Sequence, residues 1–359
     1  MKILMFGMSS IPGGIENFIK NYFLNEFSAE RLSITFVSYE DTIAYNEEIK
    51  RYGYEVIFVP NQKKHPLGYL SSIKKILSSN KYDIAYFNVM SAANILPVIY
   101  AKKANCRIVV HSHNGNVVTG LLRQVLSFLN KKRMNHITDI RIACSEEAGK
   151  ALFNDSGFTV VNNAIKLDKY SFDLNNRISV RNKYGIPKEA VVLGNVGRLC
   201  DQKNQTFLIE LFSNLIRNNQ NYYLMVIGNG PLEDKLFNSV KANRIEKNVI
   251  FVKNCSDVSA FYSAFDYFVL TSIFEGLPIS IIEAQTSGLR CFLSTNIDTK
   301  VDVTGQCTFI PLDKPEIWTE KLSNLKSQCN SRENSYYRML NGDYDITKQL
   351  YQMIEVLNS

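Results

Sequence analysis

Val191-Val-Leu-Gly-Asn-Val196-Gly197-Arg198-Leu-Cys-Asp-Gln-Lys203-Asn204-Gln-Thr-Phe-Leu-Ile-Glu-Leu-Phe212 is the stretch on which the fold turns. A short apolar run over 191–196 ends at a glycine, a polar turn carries two cations, and an amphipathic helix follows over 205–217. Strand, turn and helix form half of a βαβ unit, and here they open a second series. Further β-type runs lie at 223–227, 249–252, 267–270, 290–293 and 308–310, separated by helical stretches near 232–242, 258–264 and 279–286. The first half shows the same alternation, with strands at 2–6, 33–38, 55–59, 84–88, 107–111 and 141–143 and helices at 15–27, 69–78 and 94–103. Two α/β domains in series are expected, each a parallel sheet covered by helices, with the boundary near 162–175. Ligands of such folds gather at the carboxyl ends of the strands, here in a cleft between the domains.

Composition agrees. At 359 residues, 45% hydrophobic and 21% charged, the chain is too long for one small core and too apolar for disorder. Collagen, coiled-coil and low-complexity classes are excluded. Seven cysteines lie far apart without a CxxC pair, so neither a zinc site nor a disulfide framework is suggested, and a reducing cytoplasm is the simpler setting. The opening MKILMFGMSS has too short an apolar stretch for a signal peptide and reads as a buried first strand. The longest apolar stretch elsewhere, 92–101, falls short of the ~20 residues of a membrane span.

Charge is uneven. Residues 51–141 hold 14 Lys/Arg against 3 Asp/Glu. Such a region suits an anionic partner (membrane surface, nucleic acid or phosphorylated substrate) or is a solvated basic face. Within it, Leu121, Leu122, Val125, Leu126, Phe128 and Leu129 recur at helical spacing, with Arg123 inside and Lys131, Lys132 and Arg133 following. That pattern fits a helix lying at an anionic bilayer, or an ordinary half-buried helix. No aromatic-interleaved basic motif points to nucleic acid.

The residues able to carry chemistry stand where strands end. In Thr271-Ser-Ile-Phe-Glu275-Gly276-Leu277-Pro278-Ile279-Ser-Ile-Ile-Glu283, a strand passes through a turn into a helix starting near Pro278. Proline suits a first helical position, and the free N–H groups there attract an anion. Glu275 in the turn and Glu283 in the helix can address different parts of one ligand, or are an exposed turn carboxylate and a helix-face one. Arg198 and Lys203, five apart, combine a planar fork with a point charge and so suit a diphosphate. Gly13 and Gly14 open a helix after the first strand, either as a phosphate-approaching turn or as a plain strand-to-helix turn. His111 and His113 alternate at the end of a strand. No Cys, Asp or Glu lies nearby to complete a metal site, so one of them is expected as a hydrogen-bonding group. Asp345 of Asp343-Tyr-Asp345 reads as a helix N-cap rather than a metal ligand.

Taken in order, these elements resemble the retaining glycosyltransferases of family 4, of the bacterial capsule, exopolysaccharide and O-antigen type. Glu275 and Glu283 match the family's E-x7-E motif, and Arg198 and Lys203 its diphosphate cations. Gly228-Asn-Gly230-Pro-Leu matches a Gly-x-Gly-Pro-Leu element, while 143–145 and 163–170 occupy inter-domain positions. Ala164, Asn229 and Thr271 depart from the usual Gly, Asp and Pro. The resemblance implies a GT-B fold: two Rossmann-like domains facing across a cleft, with a C-terminal helix crossing back. Residues 1–165 would bind the acceptor and 166–345 the nucleotide sugar, with 346–359 packing on the N-terminal domain. It implies metal-independent transfer of a hexosyl unit, with retention, from a nucleotide diphosphate sugar, commonly UDP-linked, to a lipid-linked or polysaccharide acceptor. Arg198, Lys203, Gly13, Gly14, Gly276, Leu277, Pro278 and Ile279 would hold the diphosphate. Glu283 would take the ribose, Asn254 the base, Glu275 the transferred sugar and His113 a hydroxyl near its 6-position. The protein would be cytoplasmic and peripheral at the inner face of the membrane, with no nucleic-acid partner. A non-catalytic GT-B subunit and a nucleotide-sugar epimerase are the alternatives; the first tends to lose the charged groups present here.

Overall fold

Residues 2–6 form the central strand of the first sheet because every side chain after Lys2 is buried, as a parallel strand covered on both faces requires. A computed structural model of the chain describes residues 1–62, 64–79, 81–113, 120–154, 156–218, 220–255, 257–275, 277–328 and 332–359. Among them the first sheet comprises β1 (Lys2–Phe6), β2 (Ser33–Ser38), β3 (Glu55–Phe58), β4 (Ile84–Val89), β5 (Arg107–Ser112), β6 (Ile140–Ala143) and β7 (Thr159–Val160). Their spatial order is β3-β2-β1-β4-β5-β6-β7, all parallel, with Ile3 opposite both Ile34 and Ile84. The second sheet comprises β8 (Val191–Val196), β9 (Tyr222–Ile227), β10 (Val249–Val252), β11 (Tyr267–Leu270), β12 (Arg290–Ser294) and β13 (Cys307–Ile310), in the order β10-β9-β8-β11-β12-β13. These are two Rossmann-like α/β layers, as the alternating sequence predicts.

Both sheets reverse direction beside their first strand, between β1 and β4 and between β8 and β11. At such a switch point the flanking loops splay apart and leave room for a ligand. The loops concerned are those after β1 and β4 in one sheet and those after β8 and β11 in the other.

The chain divides into two compact units: Met1–Ala164 with Ile346–Ser359, and Ile165–Asp345. The last helix, Ile346–Asn358, buries Ile346, Met353 and Leu357 in one cluster with Ile3, Met5 and Phe36. Arg107 donates to the Leu357 carbonyl at 3.1 Å, tying the helix end to β5. The two crossings lie side by side where they enter and leave the second unit: the Ile165 N–H donates to the Tyr344 carbonyl at 3.0 Å, and Ile165 bridges Asp345 in parallel.

Two local differences from the sequence reading have physical causes, and the orientation of one basic helix stands beside them. The helix expected over 15–27 is two, Gly14–Phe23 and Glu26–Ala29, because the Asn25 side chain accepts from the Ser28 N–H at 2.9 Å and starts a new helix. Polar residues near the expected boundary lead into a helix, Leu174–Lys183, whose inward face is Arg177, Val180 and Arg181. The apolar stripe of the helix Leu121–Ile137 points outward: Ser127, Met134 and Asn135 are buried, while Leu121, Leu122, Phe128 and Leu129 are exposed. Among the described residues no helix is long and apolar enough to cross a membrane.

Candidate active site

The second unit builds its switch point from two glycine-dependent turns. Gly197 N–H donates to the Ile227 carbonyl at 3.0 Å and Leu199 N–H to the Asn229 carbonyl at 2.9 Å, so the turns after β8 and β9 run against each other. The approach leaves no room for side chains: a Cβ on Gly228 would lie 2.0 Å from the Gly197 carbonyl oxygen, and one on Gly230 2.2 Å from that of Leu199. Gly228, at φ +146°, also has a backbone that other residues rarely adopt. A Cβ on Gly197 would lie 3.2 Å from the Lys203 Cε, so the glycine leaves room for that side chain's stem.

A second set of bonds ties this turn to the one after β11. The Thr271 hydroxyl donates to the Asn204 carbonyl at 3.1 Å, Ile273 N–H to the Gln202 carbonyl at 2.8 Å, and the Gln202 amide to the Phe274 carbonyl at 3.1 Å. Thr271, where the resembled family has proline, thus serves as a hydroxyl tether. The result is a close ion pair: Lys203 Nζ lies 2.6 Å from Glu275 Oε1, with side chains only 15% and 10% exposed. The Ser272 hydroxyl donates to the same oxygen at 2.9 Å. Arg198 projects exposed from the turn, and its carbonyl is fixed by the Gln205 amide at 3.0 Å.

Helix Ile279–Thr286 follows with Pro278 as its N-cap, extended at ψ 115°, one position earlier than the first helical place expected for it. Proline supplies no side-chain oxygen, and no side-chain cap closes this helix end. Gly276 lies outside the described residues. About one turn on, Glu283 is buried, and the Tyr262 hydroxyl donates to its Oε2 at 2.5 Å. Burial pushes the Glu283 carboxyl up, while the Tyr262 and Tyr170 hydroxyls and Lys169 pull it back toward the charged form. Asn254 has a left-handed backbone at φ 50°, and its N–H donates to Asn229 Oδ1 at 3.1 Å. Asn229 thereby supplies the acceptor oxygen an aspartate would. Lys253 is already paired with Glu233.

The first unit holds the remaining residues. Gly13 caps helix Gly14–Phe23, whose first turn carries Glu16. Glu16 Oε1 accepts from the Ser9 N–H at 2.9 Å and the Ser9 hydroxyl at 2.8 Å, and Glu40 accepts from the Ser10 N–H at 2.8 Å. Two of the loop's amides are therefore engaged by the chain's own carboxylates, whereas the space where a Gly14 side chain would stand is open. His113 follows β5. Its Nε2 lies 2.8 Å from Asn88 Oδ1, while the Asn88 amide donates to the Phe6 carbonyl at 3.0 Å. Since Asn88 Oδ1 is the acceptor, this network assigns the proton to Nε2 and leaves Nδ1 able to accept. His111 stacks on His113 at 4.0 Å, and Phe18 presents its edge to both rings. Burial pushes His113 down to about 3, so the ring is neutral at ordinary pH. His111 is lowered by burial and then by its neighbour. Asn114, which completes the His-Ser-His-Asn run, lies outside the described residues, and among those described no three His, Cys, Asp or Glu side chains are grouped to hold a metal.

Lys203 and Glu275 are brought together by the two turns. Glu283 sits deeper with Tyr262, and Gly13, Gly14 and His113 stand at the matching position of the first unit. Sequence reasoning missed Tyr262, Asn88 and Ser272. Ser272 was within reach, three residues before Glu275, but Tyr262 and Asn88 meet their partners only through tertiary packing.

Residues 176–305 match the family model described as glycosyl transferases group 1. EpsF of Bacillus subtilis (strain 168), provisionally assigned as a glycosyltransferase, is 26% identical over 96% of this chain and 93% of its own. The UDP-Gal:alpha-D-GlcNAc-diphosphoundecaprenol alpha-1,3-galactosyltransferase of Escherichia coli is 28% identical over 63% of this chain and 61% of its own. The capsular polysaccharide biosynthesis glycosyltransferase CapM of Staphylococcus aureus is 28% identical over 60% and 59%. In fold, the crystal structure of Anabaena HepE in complex with UDP superposes over the full length of both chains with a TM-score of 0.79 at 19% identity. WaaG, a glycosyltransferase of lipopolysaccharide biosynthesis, does so with a TM-score of 0.75 at 17% identity, over 98% of this chain and 99% of its own. Residues 176–305 are thus similar to group 1 glycosyl transferases, and the two parallel sheets have the GT-B fold of the superposed structures.

Proposed function

We propose that the protein is a retaining glycosyltransferase that moves a hexosyl unit from a nucleotide diphosphate sugar, UDP-linked, to a lipid-linked or polysaccharide acceptor in bacterial surface polysaccharide assembly. The observation that carries the reading is the Lys203–Glu275 pair, held by Ser272 at the switch point beside a helix end that has no side-chain cap. The UDP and UDP-glucose complexes of HepE and the diphosphoundecaprenol acceptor named for the E. coli relative support the choice of donor and acceptor class.

In this reading Lys203 exchanges Glu275 for the donor's diphosphate and, with Arg198, stabilises the charge that develops on the leaving group. The amides near Leu277, Pro278 and Ile279 add the positive end of a helix. Two fixed cations and a helix end do the work otherwise left to a divalent ion, so transfer is metal-independent. Glu275, released from Lys203, accepts from hydroxyls of the transferred sugar. Glu283, held by Tyr262, accepts from the ribose, and backbone near Asn254 takes the base. The Gly13–Gly14 turn is assigned to phosphate and the neutral His113 to a sugar hydroxyl. The anomeric carbon–oxygen bond to phosphate breaks and the acceptor oxygen bonds the same carbon on the same face. The acceptor's proton passes to the departing phosphate oxygen, so no carboxylate nucleophile is required.

The test is nucleoside diphosphate release across a panel of UDP- and GDP-sugars with EDTA present. Slow release from one donor is expected, with Lys203→Ala and Glu275→Ala each reducing kcat/KM by about 10²–10³-fold. A protein that binds neither UDP nor GDP would overturn the reading in favour of a non-catalytic subunit.

A further inference from the structure

The helix Leu121–Ile137 inverts the ordinary rule for a helix on a soluble domain. Polar side chains attach it to its unit: the Ser127 hydroxyl accepts from the Ala92 N–H at 3.2 Å, and the Asn135 amide donates to the Phe153 carbonyl at 3.2 Å. Met134 is buried near its C-terminal end, but the large apolar side chains of its first half face away. Leu121, Leu122, Phe128 and Leu129 are 77%, 71%, 78% and 65% exposed, and Val125 lies between them on the same face. A patch of adjacent exposed leucines with a phenylalanine marks an interaction surface rather than scattered surface apolarity.

The same face continues toward the helix C-terminus as Lys132 and Arg133, both exposed, beside Lys131; the helix contains no Asp or Glu. The geometry points to an anionic lipid bilayer as the occupant of this surface, with the apolar first half of the helix entering the headgroup–acyl boundary and the basic second half lying against the headgroups. Charge decides between this and a second copy of the chain. A symmetric pairing through this helix would bring together two copies of Arg123, Lys131, Lys132 and Arg133 with no helix carboxylate to offset them, a like-charge excess that destabilises an interface. The surrounding region, with 14 Lys/Arg against 3 Asp/Glu over 51–141, extends the attraction for a negatively charged sheet. The inference deepens the proposed function by supplying the surface on which a lipid-linked acceptor would be met, but it rests on the helix alone.

Co-sedimentation of the full chain with phosphatidylglycerol–phosphatidylcholine vesicles tests it, with phosphatidylcholine vesicles as the neutral comparison and UDP affinity measured alongside. The wild-type protein is expected to sediment with the anionic vesicles and to be released by salt. The triple variant L122S/F128S/L129S is expected to lose binding even at low salt. K131Q/K132Q/R133Q should weaken it by about a hundredfold, near one tenfold step for every one and a half charges removed. Both variants should keep the wild-type Tm. Wild-type protein that ignores anionic vesicles, a serine variant that still binds them, or lipid-free dimers that the serine variant dissolves would overturn the inference. Vesicle binding without UDP affinity would leave it standing while removing the proposed function.

Discussion

Tyr262 and His113 show how single side chains set the charge state of their surroundings. The Tyr262 hydroxyl is the close donor to a carboxylate that burial holds above its ordinary range. Tyr262→Phe removes that donor, so Glu283 shifts further up and is less often charged. UDP binding, measured calorimetrically, should weaken by about tenfold, a step worth about 1.4 kcal/mol, with the loss growing as pH falls. His113 acts through stability. Unfolded, it takes a proton below its ordinary 6.5, whereas the folded ring resists until about 3. Its contribution is therefore complete above 6.5 and is lost progressively as pH falls from there toward 3. Calorimetric Tm should decline with acid over that window, and His113→Gln should make the decline shallower, with His111 retaining part of it.

At the scale of elements, the second unit is organised around one buried carboxylate. Asp266 receives Arg177 at 2.7 Å and Arg181 at 2.6 Å, and the Val192 and Gln328 N–H groups each at 2.8 Å. All three charged side chains are at most 5% exposed. Asp266→Asn strands these two guanidinium groups, and that of Arg332 at 4.0 Å, without their counter-charge and is expected to destabilise by about 3–5 kcal/mol in denaturant titration. This cluster also explains what the sequence concealed. Strands such as β1 and β8 were legible because both faces are covered and the code is a continuous apolar run. Helix Leu174–Lys183 was not, because the face it buries is Arg177 and Arg181 with Val180 as its one apolar member, and a burial pattern written mostly in arginine has no apolar period. β7 spans only Thr159–Val160, too short to carry any pattern. In the candidate site the turn residues Lys203, Glu275 and Pro278 stood out because turns and charges are local. Tyr262 and Asn88 did not, since their meaning comes from residues 21 and 25 positions away.

At the scale of the whole molecule, the chain leaves its first unit after Ala164 and returns at Ile346, and both termini belong to that unit. The exit and re-entry points are hydrogen-bonded neighbours through Ile165 and Tyr344. Topologically the second unit is thus a cassette spliced into the first between its seventh strand and its last helix, with its two ends already adjacent. A chain in which a short glycine–serine linker joins Ala164 to Ile346 should fold into the seven-stranded sheet with its last helix in place, detectable as a cooperative thermal transition. Deleting 346–359 as well should abolish that transition, because Ile346, Met353 and Leu357 would leave a hole in the core around Ile3. Because neither end of the cassette has to reach across the host to be rejoined, second units of this kind can be exchanged between relatives as modules, leaving the host sheet's threading untouched.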